Sequence, residues 1–298
     1  MRANDTAVIS ITNNITVPVR KSEKIRFSSV LMYLFLSIYT FIQVYPLIWL
    51  VLFSFKNNNQ IYSGNAMGFP SEWIVSNYPT VLTRGNLAGF LINSVIITAI
   101  TIIASSILVT TAAYSIVRLR WRFNHLFLTY ILLGLMVPLH ATLLPLFIIL
   151  RNLNLLNTYF SLILPYVVFA LPMGVFIMVG FLKGIPKELE ESACLDGCDI
   201  YQIFFNIVLP LLRPAIATVA IFTFLSSWNE LMFANTFVNN DNLKTLTVGI
   251  MALSGGVQGT EWGPIGAGLV IATIPTLLIY FLLSDQLQKS MIAGAVKG

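Results

Sequence analysis

The stretch GFLINSVIITAITIIASSILVTTAAYSIV, residues 89–117, carries no charged side chain and ends against Arg118-Leu119-Arg120. As an α-helix it exceeds the roughly 20 residues needed to cross a hydrocarbon core about 30 Å thick. Comparable runs occupy residues 28–55, 126–150, 160–182, 215–237 and 265–284. Together they predict an all-α polytopic membrane bundle of about six spans. Composition agrees, because only 10% of residues are charged and 57% are hydrophobic, whereas a soluble domain carries about 25% charged residues. Several runs exceed the minimum length, which permits tilt without fixing it.

Orientation follows from where the 17 Lys and Arg fall. Arg2, Arg20, Lys21, Lys24, Arg26, Arg118, Arg120, Arg122, Lys183, Lys187, Arg213, Lys289 and Lys297 lie on one side of the spans, and Lys56, Arg84, Arg151 and Lys244 on the other. The richer side is expected to be cytoplasmic and to hold both termini, which an even number of spans requires. The segment 1–26 is then a cytoplasmic, largely disordered lead, 27–288 the membrane domain and 289–298 a cytoplasmic tail. Its opening is polar and rich in Asn and Thr, without a secretory signal. The outer loops, 56–88 and 238–264, hold Trp73, Tyr78 and Trp262 as interfacial anchors.

The net charge of +5 does not indicate nucleic acid, since the cations flank apolar runs instead of forming one patch interleaved with aromatics. Cys194 and Cys198 are four apart, which would stack their thiols on one helix face. With no His or further Cys nearby they read as packing residues and give no metal site. No catalytic residue is assigned.

The inner loop 183–213 is too polar to span and too patterned to be slack. Pro186 suits the first turn of a helix over 187–196, with Leu189 and Ala193 at i,i+4 on one face. Gly197 is expected to stop that helix in a left-handed C′ conformation, and Asp199 with Gln202 forms a capping box that starts a second helix. Leu209-Pro210 then leads to the fifth span. Glu188, Glu190 and Glu191, read as facing outward, suit docking into another protein's cleft and oppose lying on an anionic leaflet.

These residues resemble the EAA loop of binding-protein-dependent ABC importer permeases. The resemblance rests on Ile185-Pro186-Lys187-Glu188-Leu189-Glu190-Glu191-Ser192-Ala193, Asp196-Gly197, Ile203-Phe204 and Ile207-Val208-Leu209-Pro210-Leu211. Glu191, Ser192, Ala193 and Gly197 fall on its defining positions, with Ser192 where Ala is usual and cysteines at 194 and 198 where Arg-like and Ala-like residues are common. Asn93-Ser94, Ala113-Tyr114, Leu155-Leu156-Asn157-Thr158-Tyr159, Ser227-Trp228-Asn229-Glu230 and Thr245-Leu246-Thr247-Val248-Gly249 extend the similarity to the sugar-importing branch, specifically its maltose-type second permease subunit.

The resemblance implies a type I importer fold, a heterodimer with a second permease, two cytoplasmic ATPase subunits and an extracytoplasmic solute-binding protein, in a prokaryotic cytoplasmic membrane. It assigns ATPase coupling to Glu190, Glu191, Ser192, Ala193, Asp196, Gly197, Leu209 and Pro210. Ala293, Gly294, Val296 and Lys297 would form a tail reaching between the ATPases. The chain contains no G-x-x-x-x-G-K-[ST] sequence, so ATP and Mg are expected in the partners and no cofactor in this chain.

Ionisable groups within the spans are scarce, chiefly His140 and Glu230, which favours external energy input over ion coupling. His140 reads as a packing residue. Trp228, Asn229 and Glu230 admit two readings: a hydrated solute path, in which indole and amide recognise a sugar, or plain helix packing. The alternatives to a sugar permease are an importer of a non-sugar solute such as a polyol, an ion-coupled secondary carrier and a membrane enzyme. The enzyme lacks a convergent set of reactive groups.

Overall fold

The computed structural model describes residues 27–83, 85–119, 121–254 and 260–295. The segment 1–26, expected to be disordered, lies outside them, as do Val296 and Lys297. All regular structure among the described residues is helical. Four helices are long and apolar enough to cross a membrane, and up to six spans result if the bent pairs Asn124–Met136 with Leu139–Asn152 and Ile200–Leu211 with Arg213–Trp228 are each counted as one, the second of which would take in part of the expected inner loop.

The first helix, α1 (Phe27–Ser54), holds Pro46 in its interior. Its part up to Leu47 is a separate unit, and that part is apolar on every side with exposed side chains. A helix with no polar face suits lipid.

The second unit begins at Ile48. Its central pair is α2 (Leu87–Arg118) and α3 (Phe160–Leu182). Of the most apolar window of α3, 56% is buried, against 22% for the last span, so α3 is the axis of the bundle and the last span lies at its edge. Lipid tails are as apolar as leucine, so close packing holds such helices together. Gly174 illustrates it, because a Cβ there would sit 2.6 Å from Val109 Cγ2 on α2. Pro165 and Pro172 lie within α3 and are buried in it.

The third expected span, 126–150, is not one helix. Asn124–Met136 and Leu139–Asn152 meet at 94°. Pro138 has no N–H to donate and holds Val137 extended, at ψ 115°, which ends the first arm. His140 lies exposed in the turn after this bend.

The fifth expected span, 215–237, is also divided. Helix α4 (Arg213–Trp228) stops at Asn229, and α5 (Met232–Phe237) follows. On its other side α4 meets the Ile200–Leu211 segment at 70°. The last helix, α6 (Trp262–Ala295), continues past the expected span end at 284 and takes in Ala293 and Gly294, so the expected tail is helical as far as Ala295.

The end of the bundle near the start of α2 is fastened by amides. Asn93 Nδ2 donates to the carbonyls of Asn242 and Lys244 at 2.8 and 3.0 Å, while its oxygen accepts from Tyr159 Oη at 2.8 Å. Ser94 Oγ accepts from the Leu246 amide at 2.8 Å. Two buried polar side chains thus tie a loop some 150 residues away to α2, and their hydrogen bonds remove the cost of burying them.

Candidate functional site

The loop between α3 and α4 is built from helix signals in series. Helix α7 (Glu188–Leu195) has Glu188, Glu190 and Glu191 in its first turn, where carboxylates complement the exposed N–H groups. It is closed by two bonds, Cys198 N–H to Ala193 O at 3.0 Å and Gly197 N–H to Cys194 O at 3.1 Å. That pair defines a Schellman turn, which needs a left-handed residue at C′. Gly197 supplies it with φ +86°.

Helix α8 (Ile200–Ile203) starts on the expected capping box. Asp199 Oδ1 accepts from the Gln202 amide at 2.7 Å, and Gln202 Oε1 accepts from the Asp199 amide at 2.9 Å. The chain then widens into a π-helical turn over Phe204–Val208 and bends at Leu212 into α4. Because α7 has ended by Asp196, Cys194 and Cys198 lie on either side of the glycine turn and do not share a helix face.

The inner face of the loop is anchored in the bundle. Ala193, Ile203, Val208 and Leu212 join a core with Val109, Tyr114, Val179 and Leu182 of the central pair. Glu190 departs from the outward orientation expected of it. Its Oε1 pairs with Arg118 Nε at 2.5 Å, and its Oε2 accepts from Tyr114 Oη at 3.3 Å. Arg118 Nη2 also donates to the Ile185 carbonyl at 2.8 Å. The two charged side chains are only 5% and 13% exposed.

The reason is helical pitch. At about 100° per residue, Glu188 and Glu191 share a face and Glu190 lies opposite them. Glu190 and Ala193, three apart, therefore make the inner face, and Leu189 remains 46% exposed. The expectation of three outward glutamates treated neighbours as one face. Arg118 and Tyr114 were not singled out as site residues, although Arg118 is the first arginine at the end of an apolar span and lies one helical turn from Tyr114.

The outer face carries Glu191, Ser192, Asp196 and Gly197, all exposed, while Leu209 and Pro210 are half-buried. Beside them project Leu195, Tyr201 and Phe205, exposed by 90%, 72% and 59%. Exposed apolar side chains of that size on a segment pinned from behind mark a contact surface. A cavity of about 520 Å³ beside the loop is lined by Arg118, His125, Lys183, Lys187, Glu188 and Glu191 among others. Among the described residues no group of three His, Cys, Asp or Glu is placed to hold a metal.

Trp228, Asn229 and Glu230 sit together at the gap between α4 and α5. The Trp228 ring is buried, stacks on Phe224 with centroids 5.3 Å apart, and donates its Nε1–H to the Ala272 carbonyl at 3.1 Å. Glu230 caps α5, accepting from the amides of Phe233 and Ala234 at 2.7 and 3.0 Å and from Tyr166 Oη at 2.7 Å. Asn229 is exposed and donates to the Leu225 carbonyl at 2.8 Å. Trp228 and Glu230 thus spend their polar atoms inside the chain, and Asn229 alone of the three is open to the surface.

The pattern of the family described as "Binding-protein-dependent transport system inner membrane component" matches residues 109–293, a range that spans α2 to α6 and the whole loop. The chain belongs to this family. The permease is 36% identical over 266 residues to "Probable ABC transporter permease protein YurM" of Bacillus subtilis, covering 89% of this chain and 88% of that one. It is 32% identical over 254 residues to "Trehalose transport system permease protein SugB" of Mycobacterium tuberculosis, covering 85% and 92%. The crystal structure of a bacterial ABC transporter involved in the import of the acidic polysaccharide alginate contains a chain that matches the permease with a TM-score of 0.77 at 22% identity, covering 89% of the permease and 98% of that chain. That likeness establishes a shared fold. The permease is therefore a multi-pass membrane transport subunit, and the anchored loop falls within its family-defining region.

Proposed function

We propose that this permease is one half of the translocation pathway of an ATP-driven importer of a sugar or oligosaccharide. A second permease completes the pathway, two ATPase subunits dock on the loop, and a solute-binding protein delivers the solute from outside. The observation that carries the reading is the two-sided loop: an inner face locked to α2 by the Arg118–Glu190 pair, and an outer face of Glu191, Ser192, Asp196, Leu195 and Tyr201 that is exposed among the described residues. A rigid lever needs that arrangement, because a push on the outer face must reach the spans without being absorbed by a hinge. The relatives named for trehalose, diacetylchitobiose and galactooligosaccharides support the solute class. The loop side, rich in Lys and Arg, is the cytoplasmic one on this reading, with both termini on it. ATP and Mg belong to the docked subunits, where hydrolysis would reset the bundle after closure had turned it outward.

Gly197→Asp tests this directly. Nothing lies within 4 Å of a Cβ built at Gly197, so the substitution clashes with no part of the permease. It strains the backbone by about 1–2 kcal/mol and places a carboxylate on the docking face. We expect a membrane-inserted permease that fails in uptake and loses its ATPase on purification, with Gly197→Ala impaired less. Normal uptake and normal copurification in Gly197→Asp would contradict the proposal.

A further inference from the structure

At the end of the bundle opposite the loop, three separated segments line an open polar cleft of about 340 Å³, within the range of about 300–1,000 Å³ usual for small-molecule sites, with Asn59 and Glu261 exposed at its mouth. Its walls are Asn57 and Asn59 at the start of the helix Asn58–Tyr62, Asn77 and Thr80 on the helix Asn77–Thr83, and Glu261 just before α6. The walls are stitched together. Asn58 Nδ2 donates to the Thr260 carbonyl at 2.8 Å, and its oxygen accepts from the Trp262 amide at 3.0 Å.

Asn77 is 7% exposed, and both its amide hydrogens are spent on the carbonyls of Ser54 and Lys56, at 2.8 and 3.0 Å. Its Oδ1 is left as the atom it offers to the cavity it lines. Lys56, fully buried, holds the neighbouring turn through the carbonyls of Asn65, Ala66 and Gly68 at 2.6, 3.1 and 2.6 Å. The side chains of Asn59, Thr80 and Glu261 have no partner within the described chain and line the same space.

The chemistry of this set is specific. Amides, a hydroxyl and one carboxylate offer acceptors and donors side by side, matching adjacent sugar hydroxyls, each of which donates and accepts. No lysine or arginine is among the described lining residues, which disfavours an anionic ligand. A single carboxylate is a poor set for a divalent cation, which takes 6–8 oxygen ligands in the case of calcium. We propose that this cavity is a carbohydrate-binding subsite on the outer face, the first place where solute hydroxyls touch the permease before passing between the spans. The assignment to the outer face rests on the importer reading; the recognition chemistry does not.

The test uses the assembled transporter in lipid nanodiscs without solute-binding protein, with trehalose, maltose and raffinose each offered at millimolar concentration. Saturation-transfer NMR reads sugar contact, and uptake of the same sugars in cells is measured separately. We expect a signal from at least one sugar that weakens about fivefold in Asn59→Ala, which removes one neutral hydrogen bond, and about tenfold or more in Glu261→Ala, which removes one to a carboxylate. Neither side chain has a partner to lose among the described residues, so the variants should assemble normally. A signal unchanged in both variants, or none from any of the three sugars, overturns the subsite. So does a loss of solute-binding-protein affinity in the variants with sugar contact unchanged, which would make the cavity a docking surface. Variant-sensitive contact without uptake would leave the subsite standing and count against sugar import; uptake with variant-insensitive contact would do the reverse.

Discussion

Glu190 and Glu230 are both carboxylates drawn out of water beside an interruption in helix, yet Glu190 meets a guanidinium and Glu230 meets only neutral donors. At Glu190 the partner comes from a different element: Arg118 ends α2, and the pair fixes α7 to it across 72 residues of chain. At Glu230 two of the three donors are amides of the helix that the residue itself starts, with Tyr166 Oη added from α3. The first arrangement ties two segments together. The second holds a local break open. A buried charge with an opposite partner on another element cross-links the two, which the proposed lever requires, and a charge satisfied by a helix N-terminus is a cap.

That contrast sets an order of effects. Removing one partner of a buried ion pair leaves the other uncompensated, at about 3–5 kcal/mol. Arg118→Met should therefore lower the melting temperature of the purified complex most and abolish uptake, while Arg118→Met combined with Glu190→Met should recover much of the stability without recovering transport. If the double variant transports normally, the pair is packing and not a joint. Glu230→Ala strands two amides and a hydroxyl and should cost about 2 kcal/mol, with Tyr166→Phe, which removes one donor, costing about 1 kcal/mol. A Glu230→Ala variant as unstable as Arg118→Met would erase the distinction between joint and cap. Smallest in stability, deletion of residues 293–298 should leave insertion and melting unchanged and alter the basal and sugar-stimulated ATPase rates of the reconstituted complex. Unchanged rates would remove any role for that end of α6.

Local signals were legible wherever they act over a few residues. The Gly197 turn and the Asp199–Gln202 capping box stand where their spacing placed them, because each is decided by bonds within one turn of chain. The apolar runs also located the four unbroken spans, since length and hydropathy alone decide whether a helix can cross a bilayer. What escaped depends on neighbours. Hydropathy does not register that Pro138 breaks residues 126–150 at 94°, as Pro165 and Pro172 sit inside an unbroken α3. Nor does it register that residues 215–237 divide at Asn229, where Glu230 finds a hydroxyl on α3 as well as amides ahead of it. Glu190 was misdirected because three clustered glutamates look alike in sequence, and Arg118, which separates them, lies 72 residues away. The two readings of Trp228 stayed open in the sequence for a similar reason, its stacking partner Phe224 and its acceptor Ala272 being visible only once the helices pack.

If the pinned loop is where an ATPase drives this permease, tagging the permease in its native membrane, solubilising gently and identifying what copurifies will distinguish the wild-type chain from Gly197→Asp. A second permease and an ATPase should come with the wild type, and the second permease without the ATPase with the variant. Recovery of the wild-type chain alone, still active in ion-driven uptake, would contradict that role of the loop.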